Sequence, residues 1–462
     1  MISDCQLKKL ISETITINEL INSKDQMTTK PIFFNFLALL LVLNLVVMCS
    51  AQNSTIIASN VFPEIDFSNA TGIYNDGVSS RLYVLAQTGE IFIIENNIKS
   101  LYMSISDRIK LDRQGGLLGL AFDPNFQNNH FLYVYYTADP AKIVVSRFTG
   151  NDTSSEFILL QESMPTLFSN NGGGLVFGLD NYLYIGIGDG DESDSGSALN
   201  SQNLAILKGK ILRIDVSSTG NYTIPSDNPF INNSNGIKEE IYSYGVRNPF
   251  RFSFDSINGS LWLADPGSNI YEEINIIHPG KNYGWPYMEG PFCAPLYSSC
   301  NMTGLELPVY YYSHYQFGAI IGGFIYRGSN IPELQGNYIY GDFITKNIYF
   351  LNTTTNESKV LITNTPEKIL SIGSDNNDEL YFSLYSLNNI YMITINKTIS
   401  QVTSSSIDTS TSFETSMSTS LDSNSITVST ANSSTLNLET YYVFSSYFLA
   451  VLYRRHKKAI IK

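Results

Sequence analysis

Charge is what this chain has least of: only 15% of its 462 residues are Asp, Glu, Lys or Arg, well below the ~25% of an average soluble protein. The basic half is the scarcer one, 28 Lys+Arg against 42 Asp+Glu, for a formal net charge of −14. Neutralising a phosphate backbone needs a Lys/Arg surface, so a nucleic-acid partner is excluded. Also missing is any 3.6-residue hydrophobic period of useful length, which excludes an all-helical protein and a βαβ architecture. No Gly-rich run precedes a helix, so Gly172-Gly173-Gly174 is not a phosphate cradle. What is abundant is Tyr and Phe, 56 of the 58 aromatic residues, together with 32 Gly. Aromatics pack on pleated surfaces and Gly accepts positive φ, so this is the composition of strands and tight turns.

The two ends read as lying outside the fold. Ile32 to Met48 is nearly all apolar, follows Lys30 and precedes Cys49-Ser50-Ala51, which together form a secretory leader with cleavage after Ala51; Met27 is an alternative start. Residues 1–51 are therefore assigned to a signal peptide. The mature chain keeps only Cys293 and Cys300, expected to be disulfide-bonded in an oxidising compartment. Eleven Asn-x-Ser/Thr sequons are scattered along it as acceptors for glycosylation. Of residues 401–440, 22 are Ser or Thr, so 399–440 reads as an extended, O-glycosylated stalk. Residues 441–453 are apolar apart from Ser445 and Ser446, and a basic tail follows, 454–462, opening on Arg454, Arg455, His456, Lys457 and Lys458. An apolar stretch stopped by cations is the signature of a type I anchor, although a helix of that length spans only ~20 Å of a ~30 Å hydrocarbon core.

Between Val61 and Ile395 one phrase recurs: a short β-rich run, a turn, and another run. Its copies are Leu82-Tyr83-Val84, Leu132-Tyr133-Val134, Leu183-Tyr184-Ile185, Leu261-Trp262-Leu263, Tyr338-Ile339-Tyr340 and Leu380-Tyr381-Phe382. Roughly one copy per 56 residues suits four-stranded units repeated radially, so the expectation is an all-β, six-bladed β-propeller over 61–395.

Longer motifs then follow in a fixed order. They include Gly116-Leu117-Leu118-Gly119-Leu120-Ala121-Phe122-Asp123-Pro124-Asn125-Phe126, Asn171-Gly172-Gly173-Gly174-Leu175 and Tyr184-Ile185-Gly186-Ile187-Gly188-Asp189-Gly190. Tyr244-Gly245-Val246-Arg247-Asn248-Pro249-Phe250-Arg251, Asn282-Tyr283-Gly284-Trp285-Pro286 and Gly341-Asp342-Phe343 complete the set. In order and wording this resembles the glucose/sorbosone dehydrogenase family, which includes soluble quinoprotein sugar dehydrogenases and Hedgehog-interacting-protein-like proteins. The resemblance implies a central funnel that, in the enzymes, holds pyrroloquinoline quinone (PQQ) on Ca²⁺. There a His acts as base toward the sugar hydroxyl, an Asp orients that His, and an Arg polarises the quinone.

Carried onto this sequence, Asp189 matches the orienting Asp, and Arg247 with Asn248 the cofactor-contacting pair. The base position is occupied by Asn170, which cannot take up a proton. Where the enzymes clamp the quinone with Arg, the sequence aligns Glu367 and Ile369, leaving Lys346 near a third basic position; a tricarboxylate is held poorly without such cations. Gly267 and Ser268, after Asp265, lie in the loop that supplies carbonyl ligands to Ca²⁺ in the family, and Glu272 and Glu273 at a second calcium position. Hard oxygen ligands suit Ca²⁺, with a solvated acidic surface as the alternative. Asp189 to Asp194 lacks the closing Glu of an EF-hand and reads as a funnel rim. His130 and His278 lie outside the motifs, and His314 reads as a satisfied structural residue rather than a funnel ligand.

Two functions stay open: a binding protein for a sugar, glycan or secreted protein with weak or no dehydrogenase activity, and a PQQ- and calcium-dependent oxidoreductase acting on aldoses. The leader, stalk and anchor together place the protein at the cell surface. Removing residues 441–462 should therefore transfer it from the membrane fraction to the culture medium at normal yield. Finding the full-length chain wholly in the medium would contradict an anchor.

Overall fold

The computed structural model describes residues 53–67, 69–164, 170–190, 199–295, 299–314 and 318–398. The leader, stalk, anchor and basic tail, and the acidic stretch 191–194, lie outside the described residues. Among the described residues no helix is long and apolar enough to cross a membrane.

Six four-stranded antiparallel sheets account for nearly all the regular structure, forming a six-bladed propeller. The recurring phrase of the sequence has one structural meaning: it is the second strand of every blade. Those strands are Leu82–Ala86, Phe131–Ala138, Leu183–Ile187, Leu261–Asp265, Tyr338–Asp342 and Leu380–Leu384. Each pairs on both edges and is covered on both faces by neighbouring blades, so both of its faces must be apolar. All five residues of Leu82–Ala86, Leu183–Ile187 and Leu261–Asp265 are accordingly buried.

The Tyr in this phrase has a second job. Its hydroxyl reaches the Asp of the turn between the first and second strands: Tyr83 to Asp76 (3.3 Å), Tyr133 to Asp123 (3.1 Å), Tyr184 to Asp180 (2.9 Å) and Tyr381 to Asp375 (3.4 Å). The other carboxylate oxygen of each Asp accepts backbone N–H groups of the turn, such as Ser79 (2.7 Å) and Glu379 (3.0 Å). One carboxylate thus satisfies a buried phenol and a tight turn together.

The ring is closed by a strand that the sequence assignment left outside it. Asn53–Asn60 pairs antiparallel with Ile390–Thr398, Ile56 opposite Ile395 and Ala58 opposite Ile393, and so becomes the outer strand of the last blade. The propeller therefore begins eight residues before Val61. Near-uniform Ser/Thr/Ile/Asn composition hid this strand, whose identity rests on a partner more than 300 residues away. A two-stranded hairpin, Met288–Glu289 with Phe292–Cys293, projects from the fourth blade, and Cys293 is disulfide-bonded to Cys300. The sequons at Asn151, Asn221, Asn232, Asn258, Asn301, Asn356 and Asn396 are exposed.

Ile393 is 1% exposed in the apolar cluster that joins the last two blades. Ile393→Ala should cost about 2–5 kcal/mol, read from urea unfolding. Deletion of 53–60 should lower Tm and promote aggregation, because it bares the edge of the last blade.

Candidate functional site

The innermost strands of the blades, Ala70–Tyr74, Leu117–Phe122, Leu175–Phe177, Arg251–Phe254, Ile320–Ile325 and Ile369–Ser374, run around the ring's axis. They enclose a cavity of about 390 Å³ to whose wall every blade contributes, including Thr71, Leu118, Gly172, Glu272, Ile320 and Leu370. Residues far apart in the chain meet here because each blade delivers its inner strand and the preceding loop to the same axis.

One wall is built on Asp189, which is fully buried. Asn170 donates from Nδ2 to its Oδ1 (2.9 Å), and Trp285 donates from Nε1 to its Oδ2 (2.7 Å). Its backbone N–H donates to the Arg247 carbonyl (2.9 Å), and the Asn200 side chain donates to its carbonyl (2.8 Å). Asn170 sits at φ +53°, a left-handed conformation that Asn adopts more readily than most residues. Gly188 permits the close approach behind it, since a Cβ there would come within 1.9 Å of the Asn170 carbonyl oxygen. The expected juxtaposition of Asn170 and Asp189 is thus present. Their bond fixes the carboxamide with its N–H₂ toward the carboxylate.

The next wall is the Arg247–Asn248 turn. Both backbone N–H groups donate to Asp265, to Oδ2 and Oδ1, each at 2.7 Å. The Asn248 side chain accepts from the Gly172 N–H (2.9 Å), tying this turn to the Asn170 loop. The Arg247 guanidinium lines the cavity with its carbon 5.4 Å from the Trp285 ring centre.

Also on the wall is a pair that sequence reading undervalued. His314 bonds through Nδ1 to Oε1 of Glu272, a fully buried carboxylate whose Oε2 accepts the Ile320 N–H (2.9 Å). Both residues line the cavity. The hydrogen bond and charge of Glu272 raise the His314 pKa above its ordinary value, favouring the imidazolium. The only available signal was His314's position after the Tyr310-Tyr311-Tyr312 strand, which says nothing of a carboxylate 42 residues earlier. His130 ends a short helix and His278 follows the third strand of the fourth blade; neither lines the cavity.

Gly267 and Ser268 also reach the wall. Behind them the backbone wraps a carboxylate: Ser268, Asn269, Ile270 and Tyr271 all donate to Glu289 Oε1 at 2.7–3.2 Å. Gly267 is obligatory, because a Cβ there would lie 1.7 Å from the Tyr271 carbonyl oxygen. Glu272 and Glu273, adjacent in one strand, point to opposite faces. Glu273 turns away to accept the Gly290 N–H (2.5 Å) and the Asn275 amide (3.2 Å). The two carboxylates do not converge on one cation, and among the described residues no trio of His, Cys, Asp or Glu side chains is gathered to hold a metal.

With this geometry in hand, comparison is informative. The family model described as Glucose / Sorbosone dehydrogenase matches residues 73–388. The chain belongs to the glucose/sorbosone dehydrogenase family. It is 28% identical to HIPL1 protein of Arabidopsis thaliana over 421 residues (68% of this chain, 60% of that protein). It is 30% identical to aldose sugar dehydrogenase YliI of Escherichia coli over 285 residues (58% and 74%). It is 27% identical to human Hedgehog-interacting protein over 367 residues (70% and 48%). The match spans only about half to three fifths of HIPL1 and Hedgehog-interacting protein. The fold is that of the PQQ-bound aldose sugar dehydrogenase of Streptomyces coelicolor, with a TM-score of 0.59 at 20% identity over 75% of this chain and 99% of that one.

The residues of this glucose/sorbosone dehydrogenase family member do not fit a tricarboxylate quinone well. Of the three positions aligned with the clamp, Ile369 is buried in the core between blades, and its neighbour Leu370 faces the cavity instead. Lys346 is paired with Glu367 at 3.4 Å. Lys368 stacks over Phe343, 4.9 Å from the ring centre, and does not line the cavity. The cavity-facing residue at this point is apolar.

Burial pushes the Glu273 carboxyl up to about 8, reinforced by the nearby charges of Asp265 and Glu289. Burial likewise pushes Asp265 up to about 6, against the pull of its two backbone donors. A carboxyl whose pKa is higher folded than unfolded binds its proton preferentially in the native state. Stability should therefore fall as pH rises from about 4.5 toward about 8. Glu273→Gln should flatten that decline in urea midpoints measured at pH 5 and pH 8, and an unchanged slope would remove Glu273 as its source.

Proposed function

We propose that this protein is a secreted or cell-surface binding propeller whose central cavity holds a sugar or the end of a glycan without oxidising it. The observation that carries the reading is the Asn170–Asp189 bond (2.9 Å). Hydride removal from a sugar carbinol needs a group that accepts the hydroxyl proton, and a carboxamide does not do so at physiological pH. Asp189 is itself held by Asn170 and Trp285, which supports a role in shaping the wall. The wall supplies what a pyranose requires: amides from Gln87, Gln114 and Asn248 for hydroxyls, and the rings of Phe250, Phe343 and Tyr385 for its apolar face.

A second reading is a PQQ- and calcium-dependent oxidoreductase acting on the CH–OH group of aldoses. It is favoured by Arg247 and Asn248 standing on the cavity wall with Asp189 behind it, and by the likeness to aldose sugar dehydrogenase YliI. The family's other branch, with Hedgehog-interacting protein, makes a secreted protein ligand a further candidate for the outer surfaces.

The propeller purified from the medium, reconstituted with Ca²⁺ and PQQ, should give no aldose-dependent reduction of an electron-accepting dye, while a panel of sugars titrated calorimetrically should include a ligand. Sustained turnover by the wild-type protein would overturn the binding reading. Asn170→His should raise any residual turnover by ~10² to 10⁴. No gain with quinone demonstrably bound would mean that more than the base has been lost.

A further inference from the structure

Most buried or half-buried arginines of the propeller are fully engaged. Arg213 bonds Asp180, Asp227 and Asn228; Arg327 makes a two-pronged pair with Asp255; Arg251 donates to Phe250, Thr71 and Ser371. Arg247 is the exception. A guanidinium carries five N–H donors, yet the side chain of Arg247 makes a single hydrogen bond to the described residues, from Nη1 to the Pro266 carbonyl, at a long 3.4 Å. Its Nε is buried without an acceptor. No carboxylate oxygen of the described residues lies within ion-pair distance of it. Leaving a buried donor unmade is costly, and the Arg247 side chain that carries it lines the cavity.

The charge around Arg247 indicates what kind of acceptor completes it. Among the Asp, Glu, Lys, Arg and His side chains of the cavity wall, Arg113, Arg247 and His314 are basic and Glu272 is acidic. Glu272 is already occupied by His314 and the Ile320 N–H. Behind the wall the carboxylates of Asp265, Glu289 and Asp189 are held by neutral donors, Asp265 by two backbone N–H groups, Glu289 Oε1 by four and Asp189 by Asn170 and Trp285, and none of them is within ion-pair distance of the Arg247 guanidinium. The second ring nitrogen of His314 has no partner among the described residues. Arg247 lies near enough to His314 for its charge to act on the imidazole, and both line the cavity.

From this we infer that the cavity is selective for a carboxylate-bearing sugar, a hexuronate or a glycan ending in one, with the carboxylate taken by the Arg247 guanidinium beside His314. The inference rests on the sugar-binding reading above and specifies its ligand. A guanidinium presents parallel donors that match a carboxylate in two-pronged fashion, which a neutral hydroxymethyl group cannot reproduce. Ring hydroxyls would meet the amides of Asn248, Gln87 and Gln114, and Arg247 would read only the charged substituent.

Calorimetric titration of the wild-type propeller with glucuronate and glucose, and with galacturonate and galactose, at one ionic strength tests this. The uronate of at least one pair should bind ~10-fold or more tightly than its neutral partner, the difference a charge-assisted bond typically makes. In Arg247→Met that ratio should collapse to about one, and in His314→Gln it should fall several-fold. Arg247→Lys keeps the charge and loses the fork; it should lose most of the preference with an unchanged Tm, so the outcome does not depend on the Met variant folding. Equal affinity within both pairs, or a preference that survives Arg247→Met and Arg247→Lys, overturns the uronate inference and leaves sugar binding standing. Failure of all four sugars to bind overturns both.

Discussion

Each blade of the propeller is bonded to the next close to the axis, and everything at the cavity depends on that ring of bonds. Thr71 donates to the Leu117 carbonyl (2.7 Å), Tyr135 to Asn171 (2.6 Å), the Gly174 N–H to Pro249 (3.1 Å), Ser253 to Gly323 (2.8 Å), Tyr326 to Glu379 (2.7 Å) and Ser383 to Ala70 (2.7 Å). Arg251 crosses between them, its buried guanidinium reaching Thr71 of the first blade and Ser371 of the last. Burial lowers its pKa, and three oxygen acceptors offset the loss of water. A blade cannot tilt without breaking its bonds to both neighbours.

That rigidity gives the cavity wall its definition. Asp189 follows the second strand of the third blade, Asn170 lies on the loop before that blade, Arg247 on the loop after it, and Trp285 comes from the fourth. Their mutual bonds are short because the blades hold the loops in place. Glu272 locks His314 in the same manner. The cavity is preorganised, with most polar groups committed to one another and the Arg247 guanidinium left with donors to spare. Preorganised donors without acceptors suit ligand capture.

At the cavity, Arg247, Asn248 and Asn170 line the wall, Asn170 is bonded to Asp189 behind it, and Leu370 presents an apolar surface. The loop after Asp265 is organised around Glu289, whose Oε1 accepts four backbone N–H groups. These features together support recognition of a polar ligand in preference to oxidation.

Six second strands were legible in the sequence because a strand paired on both edges and covered on both faces has to be continuously apolar. The two cysteines of the mature chain, seven residues apart, likewise predicted the Cys293–Cys300 bridge, while the meeting of Asn170 with Asp189 was implied by the family resemblance. The closing strand 53–60, the 42-residue reach from Glu272 to His314, the 96-residue reach from Asp189 to Trp285 and the inward turn of Leu370 in place of Ile369 were decided only by the tertiary structure. Such pairings depend on how six twisted sheets are angled about a common axis, a property of the closed ring that no local stretch of residues encodes.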